Sequence, residues 1–216
     1  MASGKIVDIA GMLSALKKQY SRPKLELEYS NPLQILVATI LSAQCTDRRV
    51  NLVTKGLFRK YGPVEDYANA DLKEFEKDIR STGFYRSKAK NIKASAKKII
   101  SDYGGEVPKT MEELLTLPGV ARKTANIVLT GGYGIVEGIA VDTHVRRVSY
   151  RLGFTKNTDP DKIEQDLMQL IPRKEWGAVN MTLVLHGRRV CQARKPRCNE
   201  CVVKDVCPKV GVAEWL

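Results

Sequence analysis

Apolar residues recur at helical spacing along most of the chain, and this pattern predicts a protein built from α-helices. Helix-start pairs such as Asn31-Pro32 and Asp159-Pro160, and glycine pairs at helix ends, divide the pattern into segments. The predicted helices cover residues 6–20, 33–43, 48–61, 71–82, 86–103, 111–115, 123–129, 143–152, 160–170 and 174–190. A glycine-rich loop is expected at Gly131–Gly134. We find no convincing strand, internal repeat or low-complexity segment, so the predicted fold class is all-α.

The helix predicted over residues 86–103 has two different faces. Ala89, Ile92, Ala96 and Ile99 fall on one side at helical spacing and should point into the core. The other positions carry lysines, which we interpret as a solvated face that adds to a positive field. These residues are Lys88, Lys90, Lys93, Lys97 and Lys98.

The segment Leu117–Ala121 joins two predicted helices through Pro118 and Gly119. Pro lacks an amide donor and Gly tolerates unusual backbone angles, so a tight hairpin is expected here. The following helix would present its first amides and the positive end of its dipole, which suit a phosphate oxygen. Lys123 would lie in the first turn of that helix. An ordinary turn beside a solvated lysine explains this stretch equally well.

The charge balance points to an acidic partner. The chain has 36 Lys and Arg against 24 Asp and Glu, a formal net charge of +12 with a pI near 9.5. An excess of this size favours a polyanion, most simply nucleic acid. A basic protein without such a partner is the alternative, because charge alone is a weak signal.

The sequence predicts a location inside the cell. The longest apolar run, Ile35–Leu41, is far shorter than a bilayer span and suits a buried helix. The first eight residues have no apolar signal-peptide core. We therefore expect a cytoplasmic, nucleoid-associated protein without a targeting signal, in which thiols stay reduced and clustered cysteines bind metal.

Four of the five cysteines crowd into the tail. Cys191, Cys198, Cys201 and Cys207 are separated by six, two and five residues. Structural zinc sites usually show two close C-x-x-C pairs, whereas this tail has one close pair and two widely spaced ligands. The spacing favours an iron–sulfur cluster, with zinc as the alternative. Cys45 lies far away in sequence and is expected to be a small buried residue.

The loop between the first two of these cysteines is basic. It contains Arg194, Lys195 and Arg197. A metal-pinned loop with three positive charges would form a rigid platform for phosphates. The same charges would also balance an anionic cluster, and both roles are compatible.

These features together resemble the endonuclease III family of DNA glycosylases, in the helix-hairpin-helix superfamily. The strongest matches are Leu117–Asn126, Ala140–His144 and Leu185–Arg188, the last leading into the cysteine spacing. Leu41–Gln44 and Ser87–Ile92 match as well. The resemblance covers nearly the whole chain, and agreement at five separate places in the same order is highly specific.

The resemblance implies a two-domain helical protein. A six-helix domain with the helix-hairpin-helix motif would cover about 25–135, and residues 1–24 with 136–216 would form an iron–sulfur cluster domain. It also implies a [4Fe–4S] cluster on the four tail cysteines, in place of zinc. Double-stranded DNA with a damaged base or an abasic site would cross the groove between the domains, with Lys123 and Asp142 at its mouth. The expected state is a monomer.

The family's reaction assigns chemistry to these two residues. Lys123 would attack C1′ of a flipped nucleotide, expel the damaged base and form a Schiff base, and β-elimination would then break the strand. Asp142 would take a proton during the attack and steady the cation-like sugar. Asp142 also precedes a predicted helix, so a purely N-capping role is the alternative. Oxidised pyrimidines are the damaged bases that the family leads us to expect.

The resemblance further implies a set of residues that bind DNA. Gln44 and Phe84 would fill the space left by the flipped nucleotide, although the family commonly has leucine at the position of Phe84. A packed loop aromatic is the alternative reading of Phe84. The hairpin would contribute Leu117, Gly119, Val120, Ala121 and Arg122, and the cysteine loop would contribute Arg194 and Lys195. His144 and His186 match family positions but receive no catalytic role.

Two rival functions would account for some of these features. Adenine-mismatch and thymine-mismatch glycosylases of the same superfamily typically lack a lysine at the position of Lys123. The adenine type also has a catalytic glutamate before the Gln44 motif, and Leu36–Gln44 contains no acidic residue. The second rival is a non-catalytic iron–sulfur module that binds DNA or senses redox state. It would need no amine chemistry.

Overall fold

The computed structural model describes residues 8–21 and 25–216, and every regular element in these residues is helical. The all-α prediction is therefore confirmed. The chain divides into two compact units. Leu25–Glu137 is called the hairpin unit below, and Gly138–Leu216 together with residues 8–21 is called the cysteine unit. The predicted start of the first helix at Ile6 lies outside the described residues.

The hairpin unit contains seven α-helices among its described residues, one more than expected. They are α2 (Pro32–Ser42), α3 (Asp47–Lys60), α4 (Val64–Asn69), α5 (Leu72–Asp78), α6 (Tyr85–Tyr103), α7 (Met111–Leu115) and α8 (Arg122–Val128). The additional helix is α4. It has only six residues, and its N-cap, Pro63, makes no side-chain hydrogen bond to it, so it leaves little periodicity for sequence reasoning to detect.

Two other segments differ from the sequence prediction. The helix expected over 71–82 ends at Asp78 and is followed by a separate 3₁₀ turn, Arg80–Thr82. The expected glycine-rich loop is instead a π-helical turn, Leu129–Tyr133, that continues α8. A Cβ on Gly131 would lie 2.2 Å from Ile35 Cδ1. Glycine is present there because the turn packs directly against α2, not because the chain forms a loop.

The core of the hairpin unit is centred on α2. All residues from Ile35 to Leu41 are buried, including Thr39, whose hydroxyl donates to the Ile35 carbonyl at 2.7 Å. The inward face predicted for α6 is confirmed, since its four alanines and isoleucines are at most 2% exposed. Burial of this apolar surface is what holds the helices together.

The cysteine unit is built from four α-helices among its described residues: α1 (Ile9–Gln19), α9 (Thr143–Arg151), α10 (Pro160–Leu170) and α11 (Trp176–Arg189). Helix α11 packs against both α1 and α9. Gly187 makes the second contact possible, because a Cβ at this position would lie 3.0 Å from His144 Cβ. Beyond α11 the described chain is irregular except for a 3₁₀ turn at Cys198–Glu200.

None of the helices in the described parts of the chain is both long and apolar enough to cross a lipid bilayer.

Candidate functional site

A tight hairpin connects α7 to α8. The backbone N–H of Val120 donates to the carbonyl of Leu117 at 3.1 Å and closes the turn. Gly119 has a φ of +79°, in the left-handed region that favours glycine. The side chains of Leu117 and Val120 are 2% and 8% exposed. They face the core, so any contact with DNA from these two predicted residues would come from their backbone.

Helix α6 supports this hairpin. The hydroxyl of Ser95 donates to the Pro118 carbonyl at 2.7 Å. Asn91, one turn earlier on α6, packs against Gly119. The position of the turn is therefore fixed by a helix whose apolar face belongs to the core.

Lys123 is the second residue of α8, and its side chain is exposed. Ala121, the N-cap, makes no side-chain hydrogen bond to the helix, and the first amides of any helix have no partner within it. Arg122 is half-buried beside Lys123. An amine, a second cation and the positive end of a helix are thus adjacent. This arrangement suits a phosphate, and an uncharged amine can act as a nucleophile.

Gln44 and Phe84 lie on two separate loops and share an unusual backbone conformation. Their φ angles are +52° and +47°, which residues with a side chain rarely adopt. Both side chains are exposed, and that of Phe84 is 65% exposed. Each left-handed residue costs about 1–3 kcal/mol. Strain combined with an aromatic ring in water is typical of a binding surface rather than of a packed loop.

Lys88 is a residue whose role sequence reasoning missed. The prediction of a solvated position was wrong, because Lys88 is only 4% exposed. Its ammonium donates to the carbonyls of Leu41 and Thr82, at 2.8 Å in each case. The available signal was its spacing, since Lys88 falls four residues before Ile92 on the same inward stripe.

Asp142 is the N-cap of α9. One carboxylate oxygen accepts the backbone N–H groups of His144 and Val145, both at 2.8 Å. The preceding segment is tied to α11, because the side-chain amide of Asn180 donates to the Ala140 carbonyl. The half-buried carboxylate is therefore held rigidly. The capping role predicted for Asp142 is thus present.

His144 stands directly after this carboxylate. Burial lowers its pKa, while the negative charge of Asp142 acts in the opposite direction. Its Nδ1 lies 3.2 Å from Nη2 of Arg147, and a guanidinium can only donate. Nδ1 therefore accepts, and the ring is neutral at physiological pH.

The four tail cysteines line one cavity in the cysteine unit. About 320 Å³ of it is not filled by protein atoms, and part of this space is open to solvent. Burial raises the pKa of the Cys201 thiol to about 11 and shifts those of Cys198 and Cys207 in the same direction. Bound iron would reverse this shift by stabilising the thiolates. Within the described residues no three His, Cys, Asp or Glu side chains are arranged around a single ion. A cavity of this size lined by four thiols fits a cluster of several iron and sulfur atoms.

His186 lies between this cavity and α1. Its ring is 1% exposed, and burial lowers its pKa to about 4. Nδ1 lies 3.3 Å from the Tyr20 hydroxyl, and Nε2 lies 3.7 Å from Sγ of Cys201. When the hydroxyl donates to Nδ1, the ring proton is on Nε2 and points to sulfur.

Arg151 anchors the cysteine loop. Its two terminal nitrogens donate to the carbonyls of Gln192 at 2.6 Å and Ala193 at 2.9 Å. Nη1 also lies 3.6 Å from Sγ of Cys191. The loop that follows exposes Arg194 and Lys195. These cations are therefore carried by a backbone that α9 holds in place.

The predicted site residues thus fall into two sets. The hairpin unit holds Lys123 with the hairpin and the two exposed side chains Gln44 and Phe84. The cysteine unit holds Asp142, the four cysteines and the basic loop between Cys191 and Cys198. Helix α9 joins these features, because Asp142 is its N-cap and Arg151, which donates to the basic loop, is its last residue. Sequence reasoning named these residues as candidates but did not single out Lys88 and Arg151, which donate to backbone carbonyls beside them.

Two parts of the chain match known family models. Residues 37–173 match the model described as HhH-GPD superfamily base excision DNA repair protein. Residues 191–207, which begin and end at the first and last tail cysteine, match the iron–sulfur binding domain of endonuclease III.

Whole-chain comparisons agree with these matches. Endonuclease III of Synechocystis sp. is 55% identical over 197 residues, which cover 91% of this chain and 90% of the relative. Two solved structures are similar as well, a non-covalent endonuclease III–DNA complex and a trapped endonuclease III–DNA covalent intermediate. Each has a TM-score of 0.90 and 44% identity, and the match covers 93% of this chain and 94% of the other.

Proposed function

The chain belongs to the endonuclease III family of the HhH-GPD superfamily, and from this premise we propose that it is a bifunctional DNA glycosylase and AP lyase whose nucleophile is Lys123. The observation that carries the proposal is the exposed amine of Lys123 in the first turn of α8, directly after the hairpin. A family relative has been trapped as a covalent intermediate with DNA, and such an intermediate requires a nucleophile.

The reaction proceeds in two stages. The uncharged amine of Lys123 bonds to C1′ of the extruded nucleotide, the glycosidic bond breaks, and the base leaves with the bonding electrons. Asp142 accepts the proton that the amine loses and stabilises positive charge on the sugar. The sugar ring then opens to an imine. Loss of a C2′ proton expels the 3′ phosphate oxygen, and water finally hydrolyses the imine.

DNA is held by the two sets of residues described above. The hairpin backbone with Arg122, and the basic loop with Arg194 and Lys195, bind phosphates. Gln44 and Phe84 enter the duplex and replace the extruded nucleotide, because C1′ is not reachable inside a stacked helix. The substrate is double-stranded DNA with an oxidised pyrimidine or an abasic site, and the enzyme acts as a monomer.

The cofactor is a [4Fe–4S] cluster, for which Cys191, Cys198, Cys201 and Cys207 are the ligands. When bound, the cluster supplies a rigid inorganic core that joins four distant points of the tail. The chain itself contributes the donor contacts of Arg151 and His186 and the exposed cations between the first two ligands. No step of the reaction at the sugar uses the cluster.

Borohydride trapping on an abasic duplex tests the proposal. Borohydride reduces an imine to a stable amine, so only a Schiff-base former becomes covalently linked to DNA. We expect the wild-type chain to form the adduct, and Lys123→Ala to lose both adduct and nicking while it still binds the duplex. A retained adduct in this variant would contradict the assignment, and an untrapped wild type would favour a non-catalytic DNA-binding module.

Lys73→Ala is the matched control. Lys73 is an exposed lysine near the start of α5, so its loss changes the net charge by the same amount. This variant should be trapped on the abasic duplex by borohydride, and should nick it, as efficiently as the wild type.

A further inference from the structure

We propose that Lys88 is a positioning residue that couples the Gln44 loop (Ser42–Thr46) to the Phe84 loop (Thr82–Phe84), so that both exposed side chains enter the duplex as one unit. The inference rests on the proposed function, in which these side chains replace the extruded nucleotide. Its basis is the pair of hydrogen bonds from one ammonium to the carbonyls of Leu41 and Thr82.

Both carbonyls lie at the ends of helical segments. Leu41 is the penultimate residue of α2, and Thr82 is the last residue of the 3₁₀ turn. Carbonyls at such ends lack partners within the helix, and a cation there is favoured by the helix dipole. Leu41 precedes Gln44 by three residues and Thr82 precedes Phe84 by two. One buried charge therefore terminates both helical segments at the point where each loop begins.

The Phe84 loop is held by the backbone of α6 as well. The N–H of Lys88 donates to the Phe84 carbonyl at 3.1 Å, and the hydroxyl of Ser87 lies 3.2 Å from the same oxygen. These bonds stabilise the left-handed conformation of Phe84. The first turn of α6 thus fixes Phe84 from its carbonyl side, while the Lys88 ammonium fixes the residues before it.

The same helix carries the hairpin. Ser95 donates to the Pro118 carbonyl and lies two turns after Lys88 on one face of α6. Helix α6 therefore supports the Gln44 loop, the Phe84 loop and the hairpin that leads to Lys123. Loss of the Lys88 ammonium would displace the Gln44 loop and the Phe84 loop but not the hairpin, and the proposal can be tested on this distinction.

Burying an ammonium group between helices costs more free energy than burying an apolar side chain of similar size. Burial lowers the pKa of Lys88 because the charged form loses its hydration. Charge-assisted bonds to two carbonyls offset this loss, whereas an apolar side chain would need no such compensation. A lysine at this position has a clear role if the carbonyls of Leu41 and Thr82, where the two loops begin, must be held at a fixed separation.

A double-mutant cycle tests the coupling. Lys88→Met is introduced into the wild type and into a Gln44→Ala/Phe84→Ala background, and single-turnover nicking of an abasic duplex is measured below the melting temperature of every variant. We expect a loss of about tenfold in the wild type and of less than about twofold in the double-alanine background, as for residues that act through one network. Equal losses in both backgrounds would overturn the proposal.

Lys93→Met is the matched control. Lys93 is another lysine of α6 whose ammonium donates to two carbonyls, those of Ala68 and Ala70, at the end of α4. Its loss should leave nicking unchanged when corrected for melting temperature. If Lys93→Met slowed nicking as much as Lys88→Met, the loss of any lysine-to-carbonyl hydrogen bond on α6 would have this effect. That result would refute a specific positioning role for Lys88. If Lys88→Met does not fold, it is replaced by Lys88→Gln, whose shorter side chain removes the positive charge but retains an amide NH2 group that can donate.

A single-stranded abasic oligonucleotide separates this inference from the proposed function. The strand needs no base extrusion, so Lys88→Met should be trapped by borohydride as fast as the wild type. Failure of the wild type itself to be trapped would count against the Lys123 chemistry. Normal trapping of the wild type with a slow Lys88→Met would instead count against the insertion role of Lys88.

Discussion

Gly119 and Asn91 lie so close together that a Cβ on Gly119 would stand 2.7 Å from Nδ2 and 2.9 Å from Cβ of Asn91. Side chains do not approach each other to such distances without displacement. The hairpin can therefore rest directly on α6 only because this position has no side chain. The positive φ of Gly119 adds an independent requirement for glycine.

Gly119→Ala is expected to destabilise the hairpin. The left-handed backbone alone costs an alanine about 1–2 kcal/mol, and the overlap with Asn91 increases this penalty. We expect a lower melting temperature and weaker binding to an abasic duplex, both measurable with purified protein. Gly56→Ala is the control, because Gly56 lies within α3 with no atom near the added Cβ. It should raise stability by roughly 1 kcal/mol. An unchanged melting temperature for Gly119→Ala would contradict this account.

Asp142→Asn separates capping from catalysis. Asparagine caps helices as well as aspartate does, so the bonds to His144 and Val145 should persist and the melting temperature should hardly change. The lost carboxylate should lower the single-turnover rate by about 10²–10⁴-fold, as expected for a proton acceptor. Asp159→Asn is the control, since Asp159 caps α10 in the same way. If Asp142→Asn kept full activity, Asp142 would be only a cap.

The pKa of His144 should lie below the usual value of 6.5. Burial and the positive charges of Arg147 and Arg188 lower it, while Asp142 and a hydrogen bond with Gly187 oppose them. The unfolded chain then takes up a proton at a higher pH than the folded chain, so stability is lost as pH falls below 6.5. NMR titration of the histidine ring signals, assigned with His144→Gln, measures this pKa. A value at or above 6.5 would be inconsistent with the structure.

Much of the hairpin unit follows from its sequence, because helix starts and inward faces are encoded locally. The cap of Asn31 on α2 and the inward stripe of α6 are examples. Gly131 shows where this reasoning ends. Two neighbouring glycines read as a loop, but they exist because Ile35 packs against them from another helix. No local pattern reports a contact with a residue almost a hundred positions away.

The candidate site divides in the same way. Lys123, Asp142 and the cysteines could be predicted as candidates, because the chemistry proposed for them depends on residue type and spacing. The hydrogen bonds of Lys88 and Arg151 could not be predicted, since lysine and arginine on a helix normally face solvent, although the spacing of Lys88 does place it on the inward stripe of α6. Their roles depend on backbone carbonyls supplied by distant segments, which sequence spacing does not reveal.

Arg151→Met should loosen the cysteine loop and release iron. The change keeps the aliphatic volume but removes the donors to Gln192 and Ala193 and the contact with Sγ of Cys191. The part-buried carbonyl of Gln192 would lose a charged donor, at a cost of about 1 kcal/mol, whereas the exposed carbonyl of Ala193 can bond water instead. We expect the purified wild type to be yellow-brown with about four irons per chain, and Arg151→Met to lose visible absorbance faster under a chelator. Arg146→Met, an exposed position on the same helix, should behave like the wild type. Iron release from Arg151→Met at the wild-type rate would show that the four thiolates hold the loop without Arg151. A colourless wild-type protein that contains zinc would exclude the iron–sulfur cluster itself.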